Sequence, residues 1–361
     1  EKGRLPESTL TAVSVMFARL ADLPRAFIRG PLARLPARLP TLAPPVEFPC
    51  RIEAIPEGSA DIDNGLYNEV AHTDSWHSDD KSRGLATLEL LNSARIPYFD
   101  RVWRQQLMLS PARPGAFCEV GCGGGIATSA LASLGYHMTG VEPAAASLEI
   151  AREHGRRLGL QERLSFVQGS AYDLSMFPDG CFDGVVMADV LEHLHDLPTA
   201  VSEVWRVLRP GGVFLFDTIN RTYPSYVLAV AMAQDGLGVV PARTHDWRLF
   251  IKPSELSFLL QAYGFHCDTA YFRGMAPTVS LGNPIRGAAS LLHAALQRQP
   301  PPVPLGNFVE ISSLEVNYMG WAHKPTPMQG VAKGSEGSGA PESRPASGEV
   351  TRGLREASRT E

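Results

Sequence analysis

The feature that most narrows the choice of fold is an apolar run, Ala116 to Val120, that breaks into Gly121-Cys122-Gly123-Gly124-Gly125 and continues at once in helix-period residues as far as Leu134. Glycines at a strand-to-helix turn remove the Cβ atoms that would hold a ligand away from the backbone. A second unit follows, with His137 to Glu142 reading as a strand and Ala144 to Leu158 as a helix. Leu164 to Gly169 and Cys181 to Ala188 read as the third and fourth strands, Thr199 to Leu208 as a helix stopped by Pro210-Gly211-Gly212, and Val213 to Thr218 as the fifth strand. After an insertion from Asn220 to Phe250, Pro253 opens a helix to Tyr263, and Phe265 to Phe272 and Phe308 to Trp321 supply two late strands. This alternation predicts an α/β fold built on a parallel sheet with helices on both faces.

The chain has 361 residues, 44% of them hydrophobic, enough for a sizeable core. A net charge of -5 opposes general nucleic-acid binding, which would favour a basic domain or stripe. Five cysteines without a C-x-x-C pair oppose a disulfide framework or a zinc site. No run reaches the roughly 18 apolar residues of a membrane-spanning helix. The first 60 residues form a leader or linker: Arg19, Arg25, Arg29, Arg34 and Arg38 among apolar residues resemble an organelle transit or tethering segment, or equally a disordered basic tail, and prolines crowd Leu35 to Pro56. Residues 61–324 read as one domain with its insertion near 220–250, and 325–361, rich in Gly, Ser, Pro, Glu and Arg, as a disordered tail.

Glu142, about twenty residues past the glycine turn, is placed to accept hydrogen bonds from ribose hydroxyls. A dinucleotide fingerprint would continue Gly121-x-Gly123-x-x-Gly, but its last position is Ile126. Glu119 beside the turn suits a cation, and S-adenosylmethionine carries a sulfonium and no phosphate. The bland alternative is a tight turn with no ligand. After the fourth strand, Asp189, Glu192 and His193 stand at i, i+3, i+4, which on a helical turn shares one face and suits a divalent ion, magnesium before zinc. Equally, the stretch reads as a solvated acidic turn with His193 hydrogen-bonded in the core. A metal there would stabilise a phenolate that attacks the sulfonium methyl. His245 as a base oriented by Asp246 ranks second. The 220–250 insertion, apolar with Arg221, Arg243, Arg248 and Lys252 near its ends, reads as a helical lid over the site or a surface lying in a bilayer interface.

Through the Gly121 turn, Asp189-Val-Leu-Glu192-His193, Thr218-Ile-Asn220-Arg221, Thr244-His245-Asp246, Pro253-Ser-Glu255-Leu256, Val316-Asn317-Tyr318-Met319 and Asn92-Ser-Ala-Arg95, the chain resembles the ubiquinone biosynthesis O-methyltransferase family. That family acts on polyprenyl-dihydroxybenzoate and demethylubiquinol, and the similarity covers most of residues 61 to 324. The resemblance implies a seven-stranded, Rossmann-like class I methyltransferase sheet with a late antiparallel pair. It implies that Arg95, Gly121, Glu142 and Met187, with Glu119 and Gly123 of the turn, meet S-adenosylmethionine. Asp189, Glu192 and His193 would hold Mg²⁺, and His193, His245 and Asp246 are the catalytic candidates. The implied reaction is O-methylation of a polyprenylated catechol or hydroquinol. Implied partners are that phenolic substrate, a membrane touched peripherally through 220–250, and a quinone-biosynthesis complex. The implied location is the matrix side of the mitochondrial inner membrane in a eukaryote, or the cytoplasmic side of the inner membrane in a bacterium. Another small phenol or a carbon acceptor, or a non-catalytic cofactor-binding scaffold, are the rival readings. The sequence departs from the family's pattern at Asp189 (usually Glu), Arg243 (usually Gly) and Ser93 (usually Pro).

Overall fold

The computed structural model describes residues 50–68, 76–78, 85–107, 109, 115–235, 240–278 and 306–326. The arginine-rich part of the leader and nearly all of the C-terminal tail therefore lie outside the described residues. Five parallel strands form the first part of the sheet: β1 (Phe117–Val120), β2 (Met138–Glu142), β3 (Leu164–Gln168), β4 (Phe182–Ala188) and β5 (Leu208–Ile219). Three antiparallel strands extend it, β6 (Arg273–Pro277), β7 (Phe308–Ile311) and β8 (Asn317–His323), giving the order β3-β2-β1-β4-β5-β8-β6-β7.

The sheet has eight strands where seven were expected. Phe265 to Phe272 forms no strand, because Asp268 accepts a hydrogen bond from the Ala270 amide and turns the chain into a short 3-10 segment, Thr269–Tyr271. Phe308 to Trp321 is interrupted from Ser312 to Val316, so that its two ends pair separately as β7 and β8.

The helices are α1 (Leu88–Gln106), α2 (Ile126–Ser133), α3 (Ala145–Arg157), α4 (Leu197–Val207) and α5 (Pro253–Ala262). The α4 helix starts where Asp196 caps the Thr199 amide, with Pro198 in the first turn, and buries Leu197, Ala200, Val201, Val204 and Val207 at helical spacing. These side chains join β4 and β5 residues in the core on one face of the sheet, while α1 and α2 fill the other around Phe99, Trp103 and Phe117. Helix α1, with Pro97 inside it, has no counterpart in the strand-helix alternation.

Of the insertion, residues 223–234 are helical, with Tyr226–Gln234 wound as a π-helix, a form that clusters at functional sites, and Trp247–Leu249 is a 3-10 turn. Part of the assigned leader belongs to this packing. Arg51 is fully buried, donating from Nε to the Leu249 carbonyl at 3.1 Å and from its guanidinium to the Leu194 carbonyl, while the Ile55 amide reaches the His195 carbonyl at 2.9 Å. Strand order reverses between β1 and β4, and open α/β sheets hold their ligands in the crevice at such a switch point.

Candidate functional site

A cavity of about 370 Å³ opens at the carboxyl ends of β1 and β4, reaching from the glycine turn and Glu142 to Glu192, His193 and His245. At the cofactor end, Glu142 is locked by two amides, Gly123 N at 3.1 Å and Ala144 N at 3.0 Å. Burial raises its pKa, and those two hydrogen bonds pull it back. Glu119 is buried and accepts from the Thr128 hydroxyl; desolvation dominates and pushes its carboxyl up to about 7, against the pull of Thr128 and Arg95.

The glycine turn serves packing as well as ligand approach. Gly121, Gly123 and Gly125 all have left-handed φ angles, 79°, 50° and 78°. An added Cβ at Gly123 would lie 2.4 Å from the Trp76 ring, and one at Gly121 would lie 2.5 Å from Val190. Trp76 thus rests directly on the turn, and its indole N–H is buried with no partner among the described residues. Beside it, Tyr67 stacks at 6.1 Å between ring centroids and meets His193 edge-on, also at 6.1 Å.

Arg95, carried on α1, lines the cavity and donates to Asp189, to Asn92 Oδ1 at 2.7 Å and, at 3.5 Å, to Asp217. Desolvation opposes its charge, but Asp189, Asp217 and Glu119 together hold it above the usual arginine range. Met187 does not line the cavity; it is fully buried in the core, where β4 pairs it with Phe216.

The three expected metal ligands do not share a helical face. The 3-10 turn spans Leu191–His193, leaving Asp189 outside it with φ at 52°, a left-handed conformation that costs an ordinary residue and concentrates at functional sites. That geometry turns the Asp189 carboxylate to Arg95. Glu192 accepts from Thr218 Oγ1 at 2.7 Å, and burial, then Asp189, raises its carboxyl to about 8. Among the described residues no three His, Cys, Asp or Glu side chains converge as a metal set. Asp217, fully buried, is pushed well up by desolvation and by Asp189. Glu119, Glu142, Asp189, Glu192 and Asp217 therefore crowd one region in which Arg95 makes an ion pair with two of them.

His193 bonds the Thr244 carbonyl through one ring nitrogen, and its Nδ1 is buried without a partner among the described residues. Its pKa falls to about 4, mainly through desolvation. His245, stacked on it at 5.6 Å, bonds the Ala229 carbonyl and likewise leaves Nδ1 unpartnered, with desolvation taking its pKa to about 3. Both rings are neutral acceptors on the cavity wall. The expected His245–Asp246 pair does not form, because Asp246 spends its carboxylate on the Arg248 guanidinium, the Arg248 amide and the Asp61 amide. Asp246 fastens the entry segment to the insertion instead.

Two departures from the family's pattern have local explanations. Arg243 keeps the left-handed backbone (φ 62°) that favours glycine, secured by ion pairs to Asp61 at 2.8 Å and Asp63 at 3.6 Å. Ser93 donates to the Phe308 carbonyl at 2.8 Å, tying α1 to β7. Tyr67, Trp76 and Thr128 carry no signal in the sequence motifs, and Thr218 stands in one without a stated role. For the first two, the available signal was a pair of lone aromatics in an otherwise polar stretch.

Residues 118–216 match a family model described as "Methyltransferase domain". The chain is 37% identical over 187 residues to the ubiquinone biosynthesis O-methyltransferase of Methylococcus capsulatus, covering 52% of this chain and 74% of that protein. It is 32% identical over 222 residues to the protein of the same name from Aromatoleum aromaticum, covering 60% of this chain and 88% of that one. The mitochondrial ubiquinone biosynthesis O-methyltransferase of Rattus norvegicus is 31% identical over 208 residues, covering 56% of this chain and 59% of the rat protein. Against the rat, mouse and bovine proteins the chain spans 55–61% of their length.

Proposed function

The chain belongs to the ubiquinone biosynthesis O-methyltransferase family, and from that membership we propose that it transfers a methyl group from S-adenosylmethionine to a phenolic oxygen of a polyprenylated catechol or hydroquinol. The observation that carries this reading is the single cavity joining the Gly121 turn and Glu142 to Glu192, His193 and His245. S-adenosylmethionine supplies an electrophilic methyl on a cationic sulfur. The residues fit it: Glu142 offers carboxylate lone pairs to the ribose, and the surplus of carboxylates favours a positive ligand.

On the acceptor side, Ile219, Ala229, Ala233 and Val240 give the cavity an apolar stretch under the insertion, suited to a prenylated ring. With Asp189 held by Arg95, Glu192 and His193 would be the residues left to hold a magnesium ion. Such an ion would acidify the phenol. The phenol proton would pass toward the unpartnered His245 Nδ1, and transfer of the methyl to the oxygen would leave the donor sulfur as a neutral thioether. Orientation of the two reactants within the cavity is the remaining contribution.

Tyr223 and Leu228, about half exposed on the insertion, suit peripheral contact with the membrane that dissolves the acceptor. No helix among the described residues is long and apolar enough to cross a bilayer. This reading places the chain at the mitochondrial inner membrane in a eukaryote, or the inner membrane in a bacterium, in company with other quinone-synthesis enzymes.

The test is methyl transfer to a reduced prenylated catechol, followed by mass spectrometry with chelator and again with magnesium restored. The expected result is a methoxy product lost on chelation and recovered with the ion. Product indifferent to chelation overturns the metal assignment and leaves His193 and His245 as the proton acceptors. Cofactor binding without product on this acceptor overturns the quinone assignment.

A further inference from the structure

Methyl transfer converts a sulfonium cation into a neutral sulfur, so a site that senses this change can hold the donor and release the spent cofactor. The reacting sulfur has to lie between the half of the cavity built on Glu142 and the glycine turn and the half built on Glu192 and His193. Tyr67 spans that junction. Its ring stacks on Trp76, which itself lies against Gly123 and Gly124, and meets the His193 ring edge-on. Tyr67 lines the same cavity as Glu142 and the glycine turn on one side and Glu192 and His193 on the other. The Tyr67 carbonyl is anchored by Ser147 Oγ at 3.1 Å, so the ring is carried on backbone tied to α3.

Aromatic faces attract a cation within about 6 Å of the ring centroid, and the attraction strengthens when water is excluded. Carboxylates also attract the sulfonium, but they are distributed along the whole cavity. The aromatic pair stands between the glycine turn and the His193 ring.

We propose that Tyr67, backed by Trp76, is the residue by which the site tells the charged donor from its neutral product: its ring face binds the sulfonium and loses that attraction when the methyl departs. The inference rests on the S-adenosylmethionine reading above and deepens it. In this role Tyr67 is a specificity-determining residue for the cofactor; it takes no proton and forms no bond.

The experiment is isothermal titration of the full chain with S-adenosylmethionine and, separately, S-adenosylhomocysteine, for the wild type, Tyr67→Phe and Tyr67→Leu. Tyr67→Leu is expected to raise the Kd for S-adenosylmethionine roughly three- to thirtyfold. The Kd for S-adenosylhomocysteine should move less than about twofold, since the neutral sulfur has no such attraction to lose. Tyr67→Phe keeps the ring and should hold both constants near the wild-type values. Retained S-adenosylhomocysteine binding in Tyr67→Leu serves as the control for folding. Equal weakening of both ligands would make Tyr67 an ordinary wall of the pocket and overturn the proposal. Loss of donor affinity in Tyr67→Phe would overturn it too, by assigning the effect to the hydroxyl, as would unchanged affinities in Tyr67→Leu. A wild type that binds neither ligand would instead bring down the cofactor reading on which the proposal stands.

Discussion

Glu119→Gln should gain stability relative to the wild type as pH rises, although it removes a charge from the site. The folded-state carboxyl is raised to about 7 from the ordinary 4.5, chiefly by burial. Between those values the native state keeps a proton that the unfolded chain releases, so wild-type stability falls as pH climbs through this window and levels off above it. A shift of about 2.5 units corresponds to roughly 3 kcal/mol at 1.36 kcal/mol per unit. Glutamine has no such proton to lose, and its carbonyl can still accept the bond from the Thr128 hydroxyl. The stability of Glu119→Gln relative to wild type should therefore grow by about 3 kcal/mol between pH 4.5 and pH 8, most of it below pH 7. Denaturant melts followed by tryptophan fluorescence at pH 5, 6, 7 and 8 measure the difference. A relative stability that is flat across this range, or that falls with pH, refutes the argument that Glu119 is buried against its charge. The variant should also bind S-adenosylmethionine more weakly at pH 8, because a cation gains from the ionised carboxylate that the glutamine lacks.

The other expectations concern the insertion. Asp246→Asn should lower stability by about 1–3 kcal/mol through its lost charged hydrogen bonds to Arg248 and Asp61, with the pH profile of kcat unchanged; a displaced profile would restore Asp246 to the catalytic machinery. Leu228→Asp should reduce cosedimentation with anionic vesicles severalfold without changing the cofactor Kd, and undiminished cosedimentation would remove this face of the insertion from membrane contact.

The alternating strands and helices, the glycine turn and Glu142 were legible because each follows from residues adjacent in the chain. What hydrophobic period could not convey was partner choice. Asp246 follows His245 directly, yet its oxygens go to Arg248 and to an amide 185 positions away, which no local pattern encodes. The spacing of Asp189 from Glu192 and His193 is helical and predicts a shared face. Aspartate also tolerates a left-handed backbone, and that conformation swings its carboxylate to Arg95. Tyr67 and Trp76 sit in a stretch without periodicity, where an aromatic ring announces burial but not what it is buried against. The strand split over Ser312 to Val316 has the same origin, since a stretch that mixes polar residues with Leu314 and Val316 reads equally as a strand with one exposed face.

Arg51 ties together chain positions made at very different times. Its contacts reach 143 residues forward to Leu194 and 198 to Leu249. During vectorial synthesis the arginine emerges long before either carbonyl exists, and its charge stays hydrated in the interval. The β1 and β4 crevice closes over a much shorter span, at lower entropic cost. The nascent molecule can thus complete the floor of its cofactor site while the fastening of the loop after β4 and of the insertion is still waiting for chain to be made.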